Sequence, residues 1–153
     1  MSNEWYIQIF RNGKNKKETE IYNIIENKTI NKQEIGIGFC DNNPILVNNK
    51  MIDINNIPDL SNRQNLYRKR MFEYFINTMK IGDIIYLKNG REILYKATIA
   101  SDYYYNDSEY YDAQTVERHN NWFWRHRRKI KDIEKIYEIK PGYSRQTLYC
   151  KKK

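Results

Sequence analysis

The order of hydrophobic patterns predicts an α+β fold, a small barrel of strands separated by helices, rather than a doubly wound sheet. Runs of aromatic and β-branched residues with strand length lie near both ends of the chain. Two stretches with helical spacing fall between strand-like segments, and an Asn-Gly pair at Asn89-Gly90 marks a hairpin.

The elements follow in order. Trp5 to Phe10 reads as a strand closed by the turn pair Asn12-Gly13. Ile21, Ile24 and Ile25 fall at i, i+3 and i+4, the narrow apolar stripe of a surface helix over Lys17 to Asn27. Ile35-Gly36-Ile37-Gly38-Phe39 reads as a second strand, whose glycines leave room for a close approach to the backbone. Asp41 to Pro58 is Asn-rich with two prolines and reads mostly as loop. Ser61 is an N-cap for a helix to about Lys80, with Tyr67, Met71, Tyr74 or Phe75, and Thr78 or Met79 on one face, and Gly82 ends it. Asp83 to Lys88 and Arg91 to Ala100 form the hairpin, with Asn89-Gly90 as a type I′ turn. Ser101 to Asn121 is polar, tyrosine-rich and aperiodic. A last pair of strands is predicted at Arg127 to Ile136 and Gln146 to Cys150. With no repeat and no linker, residues 1–153 are expected to close on one core as a single domain.

Composition narrows the function classes. The 153 residues are 40% hydrophobic, with fourteen tyrosines, too much core-forming material for a disordered chain. Repeated Asn, Ile and Lys look like a coding bias toward A and T, as in a virus or an AT-rich microbe. The net charge of +8 favours polyanions, chiefly nucleic acid or an anionic membrane, although a Lys-rich coding bias alone would also leave a basic surface. No apolar run approaches the roughly 18 residues of a membrane span, and the N-terminus lacks a signal-peptide pattern. Cys40 and Cys150 match no metal spacing, so two reduced thiols in an intracellular protein are expected.

Four motifs in sequence then become recognisable. They are Ile35-Gly36-Ile37-Gly38-Phe39, Met79-Lys80-Ile81-Gly82-Asp83 at the end of a helix, Ile99-Ala100-Ser101-Asp102-Tyr103-Tyr104-Tyr105, and His126-Arg127-Arg128-Lys129-Ile130. Their order and spacing resemble the EVE-like domains of the PUA-like superfamily, as found at the N-terminus of Mrr-like restriction endonucleases. The resemblance covers about residues 5–150. It implies a barrel of about five or six strands flanked by two or three helices. It also implies relatives, the YTH and SRA domains among them, that hold a flipped and often methylated base in an aromatic pocket. Two departures stand out: Phe39 takes the place of the usual tryptophan after Gly-x-Gly, and no nuclease domain follows.

A base out of its stack needs flat rings, a few polar groups and a basic rim. Phe39 is the first candidate ring, with Gly38 beside it and Cys40 and Asp41 placed to meet the base's polar edge. Equally, Phe39 is a core residue and Asp41 caps a turn. Trp122-Phe123-Trp124-Arg125-His126-Arg127-Arg128-Lys129 is the densest aromatic and basic cluster. There Trp122 or Trp124 would close the pocket, while Arg125, Arg127, Arg128 and Lys129 neutralise phosphates. The bland alternative is that the rings fill the barrel and the cations keep a strand soluble. Tyr104 is a further pocket candidate, whereas Asp102, Asp107, Glu109 and Asp112 would repel phosphate from the rest of that segment.

No catalytic role is expected. His119 and His126, the only two histidines, sit in no metal-ligand spacing, and Asp132 with Glu138-Ile139-Lys140 is too compressed for a nuclease metal site. No cofactor or metal is expected. The expected partner is DNA or RNA, methylated or plain, with a separate effector protein supplying any downstream activity. The alternative is a protein-interaction adaptor on the same fold that reads no base.

Overall fold

The computed structural model describes residues 2–10, 16–37, 46–47, 50–51, 66–105, 126–139 and 148–151. Strand β1 (Glu4–Phe10) is followed by helix α1 (Lys16–Lys32) and strand β2 (Glu34–Ile37). Two short strands, β3 (Leu46–Val47) and β4 (Lys50–Met51), pair with each other. Helix α2 (Leu66–Glu73) runs into a π-helical turn, Tyr74–Thr78. Strands β5 (Ile84–Asn89), β6 (Glu92–Ile99), β7 (Tyr104–Tyr105), β8 (His126–Ile139) and β9 (Leu148–Cys150) complete the chain.

The main sheet has the order β2-β8-β6-β5-β1-β9, with β7 also on β8. It is mixed, because β1 lies parallel to β5 and the other neighbours are antiparallel. It curls into a half-barrel, and the two helices pack into its concave side. Ile25 of α1 and Met71, Phe72, Phe75 and Met79 around the end of α2 share one core with Trp5, Ile7, Ile85, Leu87, Ala97, Ile99 and Ile130 of the strands. The α+β expectation is met at this level.

The curl has a local cause. Strand β8 carries extra residues opposite β6 at two places, where the register skips between Ile93 and Tyr95 and between Lys96 and Thr98. Asp132, at the second of these, has φ +52. Such bulges bend a strand and increase its twist, so one long strand serves two parts of the sheet. Its first residues lie between β2 and β7, and the remainder pairs with β6.

Several boundaries differ from the sequence expectation. Helix α1 continues five residues past Asn27, through Thr29 and Ile30, because Ile25, Thr29 and Ile30 extend the buried stripe. The Thr29 hydroxyl donates to the Ile25 carbonyl (2.8 Å), which offsets its burial. The second helix ends in a π-turn, with Met79 N–H bonded to the Tyr74 carbonyl five residues back (2.8 Å). That turn buries Phe75 and Met79 and leaves Thr78 exposed. The β5–β6 hairpin exists, but Asn89 pairs with Glu92 and the two-residue loop is Gly90-Arg91. Only Gly90 (φ +63) has a positive φ there, the pattern of a type II′ turn rather than type I′. The last two strands are not partners: β9 joins β1, with Trp5 opposite Cys150.

The Met79-Lys80-Ile81-Gly82-Asp83 motif has a structural explanation. The buried Asp83 carboxylate accepts from Trp5 Nε1 (2.9 Å), Asn3 N (3.0 Å) and Lys80 N (2.9 Å). It therefore ties the helix end to the starts of β1 and β5, and Gly82 (φ +97) makes the bend that lets it do so. On the convex face Tyr149, Tyr6 and Tyr86 stand side by side across three strands, with centroids 5.1 and 5.2 Å apart. The buried Lys88 lies in the next row and donates to the Tyr149 hydroxyl (2.7 Å).

Candidate nucleic-acid interface

The first residues of β8 are the centre of the site because strands flank them on both edges. Gly36 and Ile37 of β2 pair with Arg127 and His126 on one side. Tyr104 and Tyr105 of β7 pair with the same two residues on the other. Three segments singled out by their sequence are thus neighbours in one sheet. Strand alternation then divides them between two faces.

The convex face carries Glu34, Gly36, Tyr104, Arg127 and Lys129. Arg127 Nη1 lies 3.3 Å from Glu34 Oε2, with both side chains about nine-tenths buried. The Tyr104 hydroxyl donates to the same carboxylate oxygen. Burial, then the bond to Glu34 and its charge, hold the Tyr104 hydroxyl protonated far above its ordinary range. Lys129 is exposed, with Nζ 6.0 Å from the centre of the Tyr104 ring, and its backbone N–H donates to Ser101 Oγ (2.8 Å). This face combines a ring with two cations, of which Arg127 is already paired and Lys129 is the accessible one.

The concave face carries Ile35, Ile37, Tyr103, His126, Arg128 and Ile130, all buried. His126 Nδ1 and the Tyr103 hydroxyl share a hydrogen bond of 2.7 Å, and their rings stack at 5.8 Å. Phe72 meets the His126 ring edge-on at 5.1 Å, and Phe75 meets Tyr103 in the same way at 6.3 Å. Arg128 is 1% exposed; its Nη1 donates to the Met79 carbonyl (2.8 Å), and its guanidinium lies 6.0 Å from the Phe75 ring centre. Burial lowers its pKa, partly countered by the charges of Asp102 and Asp83.

The phosphate rim expected from sequence is therefore divided. Lys129 is exposed to solvent, and Arg127 lies on the same face but bound to Glu34. Arg128 points into the core and is unavailable to a backbone phosphate in this conformation. The reason is phase: Ile130 must face the core, and residues two and four positions earlier face it too. Gly38, Phe39, Cys40, Asp41, Trp122, Trp124 and Arg125 lie outside the described residues. Tyr103, His126 and Glu34 were not anticipated as members of the site. Counting back from Ile130 in steps of two would have separated His126 and Arg128 from Arg127 and Lys129.

Among the described residues no group of three or more His, Cys, Asp or Glu side chains could hold a metal ion. No helix among them is long and apolar enough to cross a membrane.

Fold and site together define a small α+β half-barrel with an aromatic and cationic seam at the start of strand β8. The chain belongs to the family described as a domain of unknown function (DUF8426), whose model matches residues 10–150. No curated protein matches the sequence.

Proposed function

We propose that this chain is an EVE-like module of the PUA-like kind that captures a flipped or single-stranded base, methylated or plain, from DNA or RNA. One observation carries the reading. Tyr104, Arg127 and Lys129 share one face beside Gly36, on the strand that leads toward Gly38, Phe39, Cys40 and Asp41. In this reading those residues, with Trp122 or Trp124, supply the stacking surface, and Lys129, Arg127 and Arg125 meet the phosphates. The net charge of +8 supports a polyanion partner. The reading is of a binding module acting inside the cell, with any cleavage or signalling left to an effector protein.

The test is a titration of single-stranded and duplex oligonucleotides, methylated and unmethylated, at several salt concentrations. Each phosphate contact adds about 0.7 to the slope of log affinity against log salt for a single strand. Lys129→Ala should lower the slope by about that amount and leave thermal stability unchanged, because the Lys129 side chain is exposed. Flat binding curves for every oligonucleotide at low salt would refute base capture.

A second reading, an adaptor for another protein, is favoured by one feature. Tyr137 and Ile139, at the far end of β8, are 64% and 65% exposed. If that reading holds, Tyr137→Ser with Ile139→Ser abolishes a protein complex that Lys129→Ala leaves intact.

A further inference from the structure

Between the π-helical turn and β5, Ile81 stands apart from the residues on either side of it. Met79 is 1% and Asp83 4% exposed, whereas Ile81 is 57% exposed. A lone exposed isoleucine is ordinary on a protein surface. This one is carried on a pinned backbone. Asp83 N–H donates to the Lys80 carbonyl (3.0 Å), closing a β-turn with Ile81 and Gly82 at its centre. Gly82 has φ +97, the pattern of a type II turn. Lys80 N–H donates to the Asp83 carboxylate (2.9 Å), and Gly82 N–H donates to the Ile99 carbonyl (2.9 Å). The Trp5 indole and Asn3 N–H hold that carboxylate in turn.

The same end of the sheet carries the accessible cation of the convex seam. Ala100 N–H donates to the Lys129 carbonyl (2.9 Å), so Lys129 lies one strand beyond Ile99 and Ala100. The turn and Lys129 are therefore two strand spacings apart, about 10 Å. Lys80, within the turn, is exposed as well, and the Tyr104 ring is next to Lys129. Asp102, an exposed acid nearby, acts with its charge on the buried Arg128. A rigid apolar tip beside two cations suits a nucleic-acid duplex. There the base to be captured starts inside the stack, and its removal leaves a gap between apolar base faces, bordered by phosphates. An isoleucine fills such a gap, and Lys80 and Lys129 are at hand for the phosphates. A protein partner would also cover Ile81, but it would have to meet both lysines with acids.

We propose that Ile81 is a wedge that enters the base stack of a duplex and holds the place of the extruded base. The inference rests on the base-capture reading and adds how a paired base becomes available to it. Within the Met-Lys-Ile-Gly-Asp motif, Met79 and Asp83 then serve the fold, and Ile81 serves the ligand.

The test compares the full chain with Ile81→Ser and Ile81→Leu on DNA and RNA oligonucleotides, each as a single strand and as a duplex, methylated and plain. A fluorescent adenine analogue that brightens when unstacked reports opening of the duplex. The unsubstituted chain should bind duplexes and raise the emission. Ile81→Ser should weaken duplex binding about 10- to 100-fold, the range that burial of one isoleucine side chain commands, and abolish the rise in emission. Its affinity for the single strand should not change. Ile81→Leu, which keeps an apolar tip, should retain most of the duplex affinity. The melting temperatures of all three chains should agree, because Ile81 is exposed.

An isoleucine that merely faces solvent, or one that docks a protein, would leave both duplex and single-strand affinities unchanged in Ile81→Ser. That result overturns the inference. Equal losses on the two forms overturn it too, since a general contact does not need a stack. Binding to single strands and to no duplex also overturns it, while base capture stands. Absence of binding to every oligonucleotide brings down base capture itself, and this inference with it.

Discussion

At the residue scale, burial and hydrogen bonding decide which polar groups hold the fold and which stay in contact with solvent. Asp83 belongs to the first kind. Its carboxylate fills both oxygens with the Trp5 indole and two backbone donors while 4% exposed. Asp83→Ala should cost about 2–4 kcal/mol in denaturant unfolding, because three buried donors lose their acceptor together. Asp83→Asn should cost nearly as much, since its amide nitrogen would face an N–H donor. The Met-Lys-Ile-Gly-Asp motif was legible in the sequence, but its purpose was not, because Trp5 lies 78 residues from Asp83 along the chain. The basic run at Arg127-Arg128-Lys129 shows the opposite case. Its composition suggested three equivalent cations, and the strand's alternation gave them three different environments.

At the element scale, local signals located most segments but misjudged their ends. The first strand, the helix that carries Ile25 and the hairpin near Gly90 all formed where periodicity and turn chemistry placed them. Helix α1 ran on because Thr29 and Ile30 meet the core, which outweighs the weak helix propensity of Asn27, Thr29 and Asn31. The β5–β6 turn shifted by one residue, and Gly90 rather than the Asn-Gly pair carries the positive φ. Gly90→Ala should therefore destabilise by about 1 kcal/mol, the cost of a left-handed conformation for an L-residue. Asn89→Ala should cost less. In β8, Asp132 adopts φ +52 at the bulge, so Asp132→Gly should be neutral or stabilising by up to about 1 kcal/mol, whereas a β-branched residue there should straighten or destabilise the strand. Paired unfolding curves in urea would separate these cases.

At the scale of the whole molecule, the tyrosines tie stability to alkaline pH. Tyr86, Tyr95 and Tyr149 are each pushed up to about 12, in every case chiefly by burial. Their folded pKa values lie above the ordinary value of 10. The stability they contribute is thus complete below pH 10 and is lost as pH rises from 10 through about 12. Unfolding followed by circular dichroism should coincide with a late, cooperative rise in tyrosinate absorbance; a gradual rise centred at pH 10 with the fold intact would contradict the assignment. Glu4 works on the acid side. Its pKa is held below 4.5, first by the hydrogen bond from Tyr86 and then by Lys151, so its contribution fades as pH falls below 4.5. Tyr86→Phe should weaken both limits together, which a pH series of thermal unfolding would show.

The sequence by itself determined the α+β class, the identity of most strands and helices, and the surplus of positive charge. These depend on periodicity, turn residues and composition, all of which are local or additive. Only the tertiary structure decided that β9 joins β1, that β8 bends to serve both halves of the sheet, and that β2, β7 and β8 bring Tyr104, Arg127 and Lys129 together. It also decided that Arg128 faces inward with its Nε unfilled. Which strands become neighbours, and on which face a side chain falls, depends on pairings between residues far apart in sequence, and no local pattern encodes them.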